Sequence, residues 1–300
     1  MSWSRAEKKH RPKPRSWRDN PKDGVLKMLV DGLTRSDEQR RALTHSLAHF
    51  SRDMLVEAGY SVSTPWTHGL LRGLSRLFPV SRRPGVLDAT AFTGSEGRAF
   101  AALGFPVAYN EWDTQHNELL CIVNRALVGT RDGILQYSLY DFESMLAAAR
   151  QSLPACDSLT VLLDLPWGGY NNGARTNLAL PHPDATVPRI GLGDILATAF
   201  AFGVDGCVCK VPSGFEFATL ATERLPNGLY FKVCNQTKPG RRAKPYYYLY
   251  LTQRELVAGD AARVLERVQP ANIMEAGVLA DLVKREAESR VWVQDVSVDF

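Results

Sequence analysis

The chain lacks several features that would narrow its role at once. Its five cysteines, Cys121, Cys156, Cys207, Cys209 and Cys234, include no CxxC pair. Neither a disulfide framework nor a zinc knuckle is expected, and buried thiols are. The longest apolar run, near Ile195 to Val204, is about ten residues against the ~20 that span a bilayer. No secretory h-region opens the chain, so an intracellular protein, nuclear or cytoplasmic and with no membrane partner, is the expectation. His45 and His49 share a helix face, yet no further ligand is spaced to complete a metal site with them, and no metal is expected. A net charge of +4 on 300 residues, with 45% hydrophobic and 23% charged, is an ordinary composition able to bury a core.

The charge that is present is uneven. SRAEKKHRPKPRSWRDNPK, within residues 1–23, reads as a basic flexible arm, because its prolines oppose helix and its clustered Lys and Arg suit nucleic-acid phosphates. A solvated tail is the plain alternative. A mitochondrial presequence fits less well, since Glu7, Lys8 and Lys9 sit beside no amphipathic apolar face. Order begins near Val25, and residues 24–84 read as a helical extension. In SDEQRRALTHSLAHFSRDMLVEAGY, Ser36 and Gln39 make a capping box, Leu43, Leu47, Phe50 and Met54 form one apolar stripe, and Gly59 supplies the stop. One helix is predicted there. A second opens with Thr64 as cap and Pro65 at its first position, then runs through Leu70, Leu71, Leu74 and Leu77.

From residue 85 the pattern alternates. GVLDATA, PVAYNE, GILQYSL, LTVLLDL and GCVCKVP read as strands, separated by the helical stretches SEGRAFAALG, DTQHNELLCIVNRALV, FESMLAAARQS and DILATAFAF. Parallel strands crossed by helices in a doubly wound α/β sheet follow. LYFKVCNQT and PYYYLYLT, joined by KPGRRAK, predict a terminal antiparallel hairpin at one edge. A methyltransferase domain over 85–253 of the class I, Rossmann-like type is therefore expected. Residues 254–300 read as a C-terminal helical extension, with two helices over 254–290 and VWVQDVSV as a candidate strand.

In such sheets the ligand sits beyond the carboxyl ends of the strands, at the switch point near the first. Acids end four strands in succession: Asp88; Glu111 with Asp113; Asp141; and Asp164. A carboxylate after the second strand suits a ribose diol, and one after the third can accept from an adenine amine. Any single one of these acids also makes sense as a helix cap or a solvated side chain.

DATAFTGSEGRAFAALGFPVAYNEWD, the later YDF, LLDLPWGG and the preceding SVSTP resemble, in order and spacing, the trimethylguanosine synthases. These are cap-specific guanine-N2 methyltransferases that use S-adenosylmethionine. The resemblance covers about residues 60–253. It implies that Asp88, Thr90 and Gly94 border the methionine part of that cofactor, Glu111 and Asp113 its ribose, and Asp141 and Phe142 its adenine, with Thr64 and Pro65 covering the pocket. It further implies that Trp167, beside Pro166 and Gly168, stacks on the 7-methylguanine ring of a capped RNA. Asp164 would border the cofactor and orient the target amine. Lys210, Arg241, Arg242, Lys244 and Arg175 are candidate cations for the cap triphosphate. The stretch from Tyr170 to Ile190, long and without period, reads as a substrate-covering loop.

The chain departs from the family pattern at four places. Phe92 and Ser95 stand where the cofactor loop has glycines, so Phe92 must swing away, narrow the pocket or abolish binding. Leu165 replaces the first proline of the PPWGG-type motif, and Asp164 its usual serine or acid-amide. Similar acid-x-Pro-aromatic sequences serve adenine-amino methyltransferases on RNA or DNA, which keeps that target open. A third possibility is a methyltransferase-like RNA-binding or structural subunit without cofactor. The arm and the tail would then dock a ribonucleoprotein or protein partner.

Overall fold

The computed structural model describes residues 21–62, 65–78, 83–129, 133–165, 186, 189–220, 227–233, 246–257, 259–266, 268 and 273–285. The chain divides into two compact units, 1–62 and 63–300, with the division falling inside the expected 24–84 extension.

Among its described residues the first unit holds three helices: α1 (Lys22–Leu33), α2 (Asp37–Leu47) and α3 (Arg52–Ser61). Helix α1 buries Val25, Leu26, Leu29, Val30 and Leu33 along one face, the spacing of an amphipathic helix. The single helix predicted from Ser36 onward is two. Ser36 accepts from the Gln39 N–H at 3.2 Å as expected, but the Gln39 side chain reaches back to the Arg35 N–H at 3.1 Å. Ser51 then accepts from the Met54 N–H at 3.2 Å and starts α3. A serine hydroxyl competes with the helical backbone and favours the cap over the interior. Gly59 is not the stop; it is buried within α3, which runs on to Ser61.

The second unit opens with α4 (Pro65–Leu74), where proline fits because its missing N–H would have no helical partner at that position. Among the described residues eight strands follow in one sheet, in the order β3-β2-β1-β4-β5-β7-β6-β8. They are β1 (Pro84–Asp88), β2 (Val107–Asn110), β3 (Ile134–Leu135), β4 (Ser158–Leu163), β5 (Gly206–Pro212), β6 (Asn227–Val233), β7 (Tyr246–Thr252) and β8 (Ile273–Val278). Strands β1 to β5 pair in parallel, and β7 enters antiparallel between β5 and β6. This is a doubly wound, Rossmann-like arrangement, with its switch point where β1 meets β4.

Strand alternation distributes the helices over the two faces. Leu87, Val161, Leu163, Cys207 and Cys209 pack in one core with Met145 and Leu146 of α7 (Phe142–Ser152) and Ile195 and Leu196 of α8 (Leu192–Ala201). Their neighbours Val86, Leu162 and Val208 pack in the other, with Leu70, Leu71 and Leu74 of α4, Phe100 of α5 (Ser95–Ala101) and Val264 of α9 (Asp260–Leu265). Helix α6 (Thr114–Val128) follows β2. Cys207 and Cys209 are the buried thiols expected, and Cys121 and Cys156 are half-buried; Cys234 lies outside the described residues.

Among the described residues the two expected helices follow β7, α9 and one over 279–285, α10, with an unexpected strand between them. Between them β8 pairs antiparallel with β6, from Leu229↔Val278 to Val233↔Ile273. The β6–β7 hairpin is therefore not the sheet edge. VWVQDVSV lies outside the described residues. Among the described residues no helix is long and apolar enough to cross a membrane.

Candidate active site

Asp88 closes β1 and is 3% exposed. Its Oδ2 accepts from the Gly97 N–H at 3.0 Å, in the first turn of α5. Only glycine fits that turn, since a Cβ at position 97 would stand 2.5 Å from Tyr109 Cε1 and 2.9 Å from Asp88 Oδ2. Burial pushes the Asp88 carboxyl up to about 8; the Glu96 charge adds to this and the Gly97 N–H holds it back. Arg98 nearby is lowered to about 10, again by burial first. Its guanidinium donates to the Thr93 carbonyl and to Asn124 Oδ1, lining the inner side of the loop.

The loop from Ala89 to Gly94 turns tightly enough to need two left-handed residues. Gly94, at φ 67°, precedes α5. Phe92, at φ 44°, is the non-glycine residue with positive φ among the described residues. That conformation costs an L residue about 1–2 kcal/mol. Two contacts hold it there. The Phe92 N–H donates to Glu111 Oε2 at 3.0 Å, and its ring lies 4.3 Å from the His116 ring, centroid to centroid. The Phe92 ring packs at an interplanar angle of 41° against His116 in the first turn of α6.

Glu111, just past β2, is 7% exposed. Its Oε1 accepts from the Asp113 N–H at 3.1 Å while Oε2 holds Phe92. Burial raises its carboxyl, against the pull of those two N–H groups and His116. Asp113 caps α6, its Oδ1 accepting from the Gln115 and His116 N–H groups at 2.9 Å each. Between them Trp112 is 59% exposed, a flat aromatic face at the strand end. Asn110 ties the neighbouring loops, donating to the Ala89 and Tyr137 carbonyls and accepting from the Tyr137 N–H.

Asp164 follows β4. Its backbone N–H donates to Thr90 Oγ1 at 2.8 Å, joining the loops after β1 and β4. Its Oδ2 accepts from Lys210 Nζ of β5 at 2.6 Å. Burial raises the Asp164 carboxyl to about 6, Lys210 opposing and Glu96 adding to the rise. Burial disfavours the charged Lys210, but Asp164 and Glu96 outweigh it and the ammonium is held firmly charged. Lys210, a candidate for the triphosphate bridge, is therefore committed within the protein. Its Nζ also lies 3.7 Å from Glu96 Oε1, which accepts from Tyr248 Oη at 2.7 Å.

The structure thus brings Asp88, Thr90, Gly94, Glu111, Asp113, Asp164 and Lys210 to the carboxyl ends of β1, β2, β4 and β5. Asp141 is exposed ahead of α7. Phe142 is 3% exposed and packs in the core with Met145 and Leu146. Leu165, in the first proline's place, is also core. Thr64, Pro166, Trp167, Gly168, Arg175, Arg241, Arg242 and Lys244 lie outside the described residues, and for Pro65 only the helical backbone is described. Sequence reasoning missed Glu96, Tyr248, Trp112 and the Phe92–His116 contact. Trp112 carried a usable signal, an aromatic directly after a strand-end acid; Glu96 and Tyr248 meet only through the fold.

No protein-family model and no curated protein matches the chain. Among solved structures it is similar to an S-adenosylmethionine-dependent methyltransferase from Agrobacterium tumefaciens at 11% identity, covering 64% of this chain and 63% of that one, with a TM-score of 0.41. It is also similar to precorrin-6y C5,15-methyltransferase from Geobacter metallireducens at 12% identity, over 62% and 87% with a TM-score of 0.36. A type I restriction-modification methyltransferase subunit from Streptococcus thermophilus matches at 14% identity, over 72% and 53% with a TM-score of 0.41. None of these three is a trimethylguanosine synthase.

Proposed function

We propose that this chain is an S-adenosylmethionine-dependent methyltransferase acting on an exocyclic amine of a nucleobase, with N2 of the 7-methylguanosine cap of an RNA as the target. The observation that carries this is Asp164, an acid at the switch point whose Oδ2 is held by Lys210 at 2.6 Å and whose N–H is fixed on Thr90. Oδ1 accepts no hydrogen bond from the described residues, so it is placed to accept one from a substrate amine.

The residues present fit the cofactor in two respects. Glu96 and Asp164 against the single charge of Lys210 leave excess negative charge, which suits a sulfonium. Trp112 offers a face on which adenine can stack. When bound, the cofactor supplies an electrophilic methyl group. Asp164 accepts from the amine N–H, turns the nitrogen lone pair toward its target and stabilises the positive charge that builds on nitrogen. Water takes the released proton. Trp167 would stack on the cationic 7-methylguanine, a contact worth about 2 kcal/mol or more once water is excluded.

A second reading has its own observation. Both Glu111 oxygens already hold loop N–H groups, and Phe92 fills a glycine position, which favours a cofactor-free RNA-binding subunit. Calorimetric titration with S-adenosylmethionine separates the two. Binding, followed by methyl transfer to m7G-capped but not uncapped RNA, is the expected result. Trp167→Ala should then weaken cap binding and leave cofactor binding nearly unchanged. No binding at millimolar cofactor overturns the enzyme reading, and transfer to uncapped RNA overturns the cap.

A further inference from the structure

The charged cluster at the switch point contains more than Asp164 needs. Facing it are Asp88 from β1, Glu96 from α5, Lys210 from β5 and Tyr248 from β7, with Tyr246 of β7 placing its ring 5.8 Å from Lys210 Nζ. Lys210 and Tyr248 are register partners on neighbouring strands. The Tyr248 hydroxyl donates to Glu96 Oε1, and that same oxygen lies 3.7 Å from Lys210, against 2.6 Å from Lys210 to Asp164. Glu96 is thus partly satisfied by Tyr248, and the closest commitment of the ammonium goes to Asp164. A partly buried ion pair is weak evidence for stability, so its geometry needs another reason.

We propose that Lys210 is a positioning residue: braced by Glu96 and Tyr248, its ammonium pins Oδ2 of Asp164 and holds the carboxylate as an anion, leaving Oδ1 for the substrate amine. This rests on Asp164 being the amine acceptor. A protonated Asp164 serves poorly, because its neutral carbonyl oxygen is a weaker acceptor than a carboxylate and stabilises less of the positive charge that builds on nitrogen. Without a cation, a buried acid beside Glu96 drifts toward that neutral form. Lysine suits the task, since its compact point charge engages one oxygen, whereas a guanidinium fork tends to engage both.

The test is a carboxyl-carbon NMR titration of aspartate-labelled protein without cofactor, with Asp164→Asn assigning the signal. The Asp164 midpoint is expected at about 6. Lys210→Met should raise it by about 1–3 pH units, Lys210→Arg should leave it near the wild-type position, and Glu96→Gln should lower it. In methyl-transfer assays the acidic limb of the pH profile should follow. At pH 7 Lys210→Met should then lose about twofold if its midpoint rises to about 7 and roughly tenfold for each further pH unit, and recover as pH rises. Lys210→Arg would keep the limb in place while lowering turnover, because it competes for Oδ1. An unmoved midpoint in Lys210→Met overturns the proposal. If that variant does not fold, an unmoved midpoint in Glu96→Gln does so. Moved midpoints with an unmoved acidic limb overturn the positioning role. Moved midpoints in a protein that transfers no methyl group overturn the proposed reaction, and the positioning role with it, while the ion pair stands.

Discussion

The backbone N–H of Phe92 donates to Oε2 of Glu111 at 3.0 Å, so the acid that ends the second strand also fastens the loop after the first. The fastening is made by a residue in a conformation that favours glycine, at φ 44°. Loop shape and strand-end acid are therefore one mechanical unit, and substitutions at either should be felt at both.

Phe92→Gly and Phe92→Ala separate strain from ring contact. Both lose the ring contact with His116, but only alanine keeps the left-handed penalty. Glycine is usually the less stable of the two by about 0.5–1 kcal/mol. Here the order should invert, with Phe92→Gly more stable than Phe92→Ala by about 1 kcal/mol in urea melts. The ordinary order would show that position 92 carries no strain.

Asp88 makes stability depend on pH. Its folded value of about 8 stands above the ordinary 3.8, so between them the folded chain keeps a proton that the unfolded chain releases. That stability is fully present below the unfolded value and is lost as pH rises toward about 8, at up to about 1.4 kcal/mol per pH unit. Asp88→Asn retains an oxygen for the Gly97 N–H and cannot titrate. Urea melts at pH values of about 5 and 8 should show a drop in the wild type that the variant largely lacks; equal drops would contradict the buried acid.

Gly97→Ala should cost about 1–3 kcal/mol, because its Cβ meets Tyr109 and Asp88 at once. Tyr109→Phe should cost nothing or stabilise by up to about 1 kcal/mol, because the buried Tyr109 hydroxyl has no hydrogen-bond partner among the described residues. Thermal melts of the two variants check both statements. A tolerated alanine at 97 would mean that the turn packs less tightly against Tyr109 and Asp88 than described.

The parts readable from sequence were those carried by local pattern. Alternating apolar runs announced β1 to β7, and strand-end position announced Asp88, Glu111 and Asp164. Ser36 and Pro65 marked helix starts by chemistry that acts within a few residues. What escaped depended on choices between two adequate local solutions, or on partners far along the chain. Ser51 suits a loop or a helix surface, and its capping of α3 became visible only with the break before it. Lys210 reads as a surface cation until β4 and β5 bring Asp164 to its ammonium. Glu96 and Tyr248 are 152 positions apart, beyond any spacing rule. Strand β8, IMEAGV, carries Glu, Ala and Gly and so has weak intrinsic preference for a sheet; its pairing with β6 decides its state.

That pairing sets the smallest piece of this chain that should behave in solution. A fragment ending at residue 253, where the strand-helix alternation and the hairpin finish, would lose β8 and bare the outer backbone groups of β6 along most of its length. An uncovered strand of that kind is a template for a second copy. Expression trials trimmed to residue 253 would then yield clumping that says nothing about its chemistry, whereas ending after α10 keeps the sheet's own cover.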